Sequence, residues 1–183
     1  MSVPFPEPTA LATGRDEVLL RYLDFFRETV SAKVAALHED EVRRSRLPSG
    51  WTPLELLQHL RHVERRWIEW GFEGRDVGDP WQDRRADRWY VAPEQTSAGL
   101  ITALREQGAH TREVVHGTDL ATPGAPGPRW AGADPATLER VLLHLVQEYA
   151  RHLGHLDVVA ELAGGPVGEQ SPTRGDGARV TER

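Results

Sequence analysis

The chain has no cysteine, one lysine (Lys33) against 21 arginines, and no long hydrophobic run. The first absence excludes disulfide frameworks, thiolate catalysis by the protein itself, iron–sulfur clusters and cysteine-based zinc fingers. Any metal ion must then be held by His, Asp and Glu. No stretch approaches the roughly 18 consecutive apolar residues of a membrane span, and the start, MSVPFPEPTALATGRDE, lacks the basic and apolar regions of a signal peptide. A cytoplasmic protein with no membrane partner is the expectation. Positive charge is also short: 22 Lys and Arg against 28 Asp and Glu give a formal −6, and without a basic block this argues against nucleic-acid binding. Missing too are a Gly-rich phosphate loop, a G-x-S-x-G elbow, an H-E-x-x-H pair and a dinucleotide fingerprint.

What is there is helical period. At 183 residues the chain has the length of about one domain. Pro4, Pro6, Pro8 and Gly14 make residues 1–14 an extended arm, and the Gly164-Gly165-Pro166 stop followed by a polar, turn-rich stretch makes 164–183 a disordered tail. Between them, 15–163 is one domain with four amphipathic segments. Val18, Leu19, Tyr22, Leu23, Phe26, Val30, Val34 and Leu37 predict a helix from about Asp16 to Arg43. Thr52-Pro53-Leu54-Glu55 reads as a capping box opening a second helix through Leu56, Leu60, Val63, Trp67 and Trp70. A third runs from about Thr96 to His116, and a fourth starts at Asp134-Pro135 and ends before the glycine pair. No alternating segment competes, so the fold class is all-α, a four-helix bundle. Residues 75–95 and 118–133 are longer than ordinary bundle connections and rich in Gly, Pro, Trp and Arg, which marks both as functional loops.

The fourth helix carries the chemistry. Its stripe at 138, 141, 145, 148, 152, 155, 159 and 162 is Leu or Val except for Glu148, His152 and His155. A Glu and a His four residues apart lie one turn apart on one face, close enough to chelate one divalent ion, though the same spacing also suits a plain Glu–His pair. On a core face an unpaired carboxylate is costly, which favours a cation as its partner. The second helix offers His59 on its inward side and His62 beside it. A lone histidine there would more often be a satisfied core residue, but a facing Glu/His pair makes it a candidate ligand. Three N/O ligands leave an open position, as in catalytic metal sites. His144, four residues before Glu148, is a candidate to orient that carboxylate, whereas His38, His110 and His116 read as surface residues. Trp67 and Trp70 read as core anchors. Trp81, Trp89, Tyr90 and Trp130 lie in the long loops and could wall a pocket, and Arg75, Arg84, Arg85, Arg88 and Arg129 could hold an anionic group.

QHLRHVERRW in the second helix and HLVQEYARHLGHLDVVAEL in the fourth resemble the DinB-like (YfiT-like) four-helix metal-binding superfamily. More narrowly, they resemble its branch of mycothiol-dependent S-transferases and maleylpyruvate isomerase-like proteins, over about residues 15–163. The resemblance implies metal ligands at His59, Glu148 and His152, with His155 near the ion. It further implies zinc, nickel or another divalent ion, mycothiol as cosubstrate, and a homodimer. On this reading the protein is a metal-dependent enzyme transferring a thiol to small electrophiles in detoxification or biosynthesis. A chain without cysteine must borrow its thiol. Two other readings fit the same residues: a hydrolase or isomerase that uses metal-bound water and no thiol, with His155 or His62 as the catalytic proton carrier, and a non-catalytic dimeric module that binds metal or ligand.

Overall fold

The computed structural model describes residues 3–165, so the expected disordered tail lies outside them apart from Gly164 and Gly165. Four long helices form the bundle: α1 (Arg15–Ala36), α3 (Pro53–Arg65), α4 (Ser97–His116) and α5 (Leu138–Leu162), with one-turn α2 (Glu39–Val42) after the first. α1 and α3 each pack against both α4 and α5. Leu23, Val30 and Val34 of α1, Leu56, Leu57 and Leu60 of α3, Leu104 of α4, and Leu138, Leu142, Leu145 and Leu156 of α5 are buried between them. Among the described residues, no helix is long and apolar enough to cross a membrane.

The capping box forms as read. Thr52 accepts the Glu55 N–H and the Glu55 carboxylate accepts the Thr52 N–H. Three boundaries differ from expectation. The first helix does not run to Arg43, because Leu37 turns extended and the His38 ring accepts the Asp40 N–H to cap the separate α2. The last helix starts after Thr137 rather than at Asp134-Pro135. Residues 134–137 instead meet the preceding loop, where Gly124 donates to the Ala136 carbonyl, and the N–H groups of Leu138 and Glu139 donate to Thr122 and Leu120. Loop carbonyls thereby satisfy the first donors of the helix. Third, α3 widens from Arg66 to Phe72 into a π-helix, which sequence period does not signal.

The 75–95 loop folds back as a hairpin of two-residue strands, β1 (Arg84–Arg85) and β2 (Arg88–Trp89). Ala86 and Asp87 turn it with both φ values positive, 50° and 61°. That is the handedness of a type I′ turn, usually built from Asn and Gly.

Glu64 ties the four long helices together. Fully buried on α3, it accepts from Arg27 Nε at 3.0 Å and Nη2 at 2.7 Å, from Thr111 Oγ1 at 2.5 Å and from the Tyr149 hydroxyl at 2.7 Å. Those donors come from α1, α4 and α5. Burial by itself would raise the Glu64 pKa, but Arg27 outweighs it and holds the carboxyl below its usual range. Removing one member of a buried pair leaves the other charge uncompensated. Glu64→Ala should therefore lower the unfolding free energy by about 3–5 kcal/mol in urea titration, and Arg27→Met with Glu64→Leu should recover part of that loss. A loss below 1 kcal/mol in the single variant would contradict the assignment.

Candidate metal centre

His59 on α3 and Glu148 and His152 on α5 each present one donor atom, and the three atoms lie within 4.8 Å of one another. The histidines are buried and Glu148 is half-buried. The two rings meet edge to face at 5.1 Å, and His152 Nε2 lies 3.4 Å from Glu148 Oε2.

The protonation states suit metal binding. Burial lowers the His59 pKa in spite of its carboxylate neighbour, which keeps the imidazole neutral with a lone pair to give. The hydrogen bond from His152 holds the Glu148 carboxyl below its usual range, so it is ionised. Two imidazoles and a carboxylate form a donor set that a divalent ion such as zinc accepts. The residues fit the implied ion.

His59 is oriented by a residue that sequence pattern does not reveal. Asp83, fully buried in the 75–95 loop, lies with Oδ2 3.1 Å from His59 Nδ1. Arg66, the first π-helical residue, donates Nη1 to Asp83 Oδ1 at 2.6 Å and Nη2 to Oδ2 at 3.2 Å. Burial works against the Asp83 charge, but the hydrogen bonds from His59 and Arg66 win and hold its pKa at about 2. An ionised Asp83 accepts a hydrogen bond from the Nδ1–H of His59, which leaves Nε2 free for a metal, the carboxylate–histidine arrangement common in metal sites. No period marks a loop aspartate; its only signal was membership of a long loop.

The other candidates are placed as follows. Trp89 stacks on His59 at 4.3 Å and meets His152 edge-on at 5.3 Å, so the loop aromatic does wall the site. Trp81 packs edge-on against Trp70, and Trp130 packs tilted against Trp67. His144 Nε2 lies 3.7 Å from Glu148 Oε1 with its ring 4.5 Å from Trp67. His155 is exposed and meets His152 edge-on at 5.6 Å. His62 is buried with both ring nitrogens unpartnered, and burial depresses its pKa to about 4. Of the histidines read as surface residues, His38 caps α2 and His110 pairs with Glu73 at 2.7 Å. Leu162, last on the expected stripe, is 54 % exposed.

A family model described as Mycothiol-S-transferase matches residues 18–165. No curated protein matches the chain.

Two outcomes follow from this geometry. Asp83→Asn should weaken zinc binding about 10- to 100-fold in calorimetric titration, because His59 loses its orienting charge; unchanged affinity would contradict that role. His62 is neutral when folded down to about pH 4 but protonates near 6.5 when unfolded. Its stabilising contribution is therefore complete above pH 6.5 and lost as pH falls towards 4, on the order of 3 kcal/mol. Urea titrations of metal-free protein across that range should show the loss, and His62→Phe should flatten it.

Proposed function

Since the chain belongs to the mycothiol S-transferase family, we propose that it is a divalent-metal enzyme that joins mycothiol to small electrophiles. The observation that carries this reading is the convergence of His59, Glu148 and His152 in a chain with no cysteine of its own. An ion bound there lowers the pKa of a nearby thiol and supplies a thiolate near neutral pH. Zinc is the ion we assign, from the two-imidazole, one-carboxylate donor set.

The protein's own groups divide the remaining work. His59, Glu148 and His152 would hold the ion, and Asp83 keeps His59 in the tautomer that presents Nε2. Trp89 covers the His59 ring face and keeps water from it. His155, at the rim beside His152, is placed to carry the thiol proton away and return it to the adduct. His62, the other expected proton carrier, is enclosed and protonated only below about pH 4, which favours His155. In the transfer the thiol sulfur forms a bond to the electrophilic carbon, and the displaced electron pair takes up the proton or departs with a leaving group.

Incubation of the zinc-loaded protein with mycothiol and a panel of electrophiles, followed by mass spectrometry, tests the reading. Conjugates should form faster than in protein-free controls, and more slowly with His155→Ala. No rate above background at saturating thiol across the panel would overturn it.

A further inference from the structure

Arg129 is a half-buried cation with no counter-charge among the described residues. It lies in a 3-10 turn, Pro128–Trp130, within the second long loop. Its guanidinium sits 3.8 Å from the centroid of the Trp67 ring and 5.8 Å from that of Trp70. Among the described residues no carboxylate and no hydrogen-bond acceptor meets it, and its Nε is buried unpartnered. The other loop arginines are occupied or exposed. Arg75 meets Glu73 and His110, Arg88 donates to the Gly50 carbonyl, and Arg84 and Arg85 lie over Trp81 and Tyr90 on the exposed hairpin. Burial and the charge of Arg66 both disfavour the Arg129 cation, yet a guanidinium stays protonated. Such a group keeps unspent donors where water is partly excluded.

The fold makes room for it. Gly71 lies in the π-helix, and a Cβ there would stand 3.3 Å from Arg129 Cγ and 3.1 Å from the Arg66 carbonyl. The turn is pinned by Trp130, whose Nε1 donates to the Ala125 carbonyl at 2.8 Å. Trp67, which carries the guanidinium on its face, also touches His144, and His144 reaches the Glu148 carboxylate. Arg129 and a candidate metal ligand thus belong to one continuous wall.

Resting on the thiol-transfer reading above, we infer that Arg129 is the anchor for the electrophile, and that the protein takes electrophiles carrying a carboxylate. The planar fork of the guanidinium matches a carboxylate with two parallel hydrogen bonds. Trp67 fixes the plane of the fork, and the surrounding indoles suit an aromatic or otherwise apolar body on the substrate.

A binding measurement without thiol tests this separately from turnover. Zinc-loaded protein is titrated with 3-benzoylpropionate and with its primary amide, neither of which reacts with thiols, and tryptophan fluorescence is read. The carboxylate should bind about tenfold tighter than the amide, as one charge-assisted pair requires. Arg129→Gln, checked for wild-type melting temperature and zinc content, should abolish that preference, and Arg129→Lys should restore part of it. No preference in the wild type, or a preference that survives Arg129→Gln because the carboxylate sits on the zinc, would overturn the inference. If the preference depends on Arg129 but 3-benzoylacrylate gives no mycothiol adduct above background, the anchor stands and the transferase reading falls.

Discussion

The site depends on the buried carboxylate of Asp83. It is shared between the His59 ring and the Arg66 guanidinium, and with the bonds from Arg65 and Arg66 to the Val77 and Pro80 carbonyls it fastens the 75–95 loop to the end of α3. A fully enclosed carboxylate is tolerable only while both donors remain, so the loop, the π-helical turn and the candidate ligand His59 are set as one unit. With Asp83 in place, Trp89, five residues beyond the β1 start, can lie flat on His59. The hairpin's left-handed Ala86-Asp87 pair brings the chain back for that contact.

Two buried charge clusters divide the bundle between them. Glu64 with Arg27, Thr111 and Tyr149 joins all four long helices, and each lone-pair acceptor position it uses is matched by a donor, which suits a structural tie. The cluster around Asp83 leaves its histidine with one nitrogen uncommitted and stands next to Glu148 and His152. The π-helical stretch lies between the two. It starts two residues after Glu64 and carries Arg66, Trp67, Trp70 and Gly71, each of which meets a loop residue, while Trp67 also packs against the core. A widened turn re-aims those side chains towards the loops, as such turns often do at functional sites.

The four long helices and the three candidate ligands were legible because apolar period is a strong signal and Glu148, His152 and His59 break it. The stripe itself was read too rigidly. A repeat of 3.5 drifts by about 20° per heptad against a real helix of 3.6 residues per turn. Along α5 the buried face therefore moves onto Tyr149, Leu153, Leu156 and Ala160, leaving Glu148 half-covered and His155 and Leu162 exposed. That drift sets Glu148 at the edge of the core, where an ion could be reached from outside. Asp83 and Arg66 were not legible, since one lies in an aperiodic loop and the other looks like solvent-facing charge in VERRW. Glu64 in the same run has the same disguise. The start of α5 was misplaced because the helix opens on a Thr137 cap that accepts the Arg140 N–H, while Leu138 and Glu139 donate across the loop to Thr122 and Leu120.

The central claim is that His59, Glu148 and His152 together hold one divalent ion. Metal analysis of the purified protein beside His152→Ala tests it most directly, with thermal melts in added Zn²⁺ and in EDTA as the companion readout. The account predicts about one ion per chain in the wild type, a melting temperature raised by zinc and lowered by chelator, and loss of both the ion and the zinc response in the variant. A wild-type protein without stoichiometric metal, melting identically with Zn²⁺ and EDTA, would contradict it.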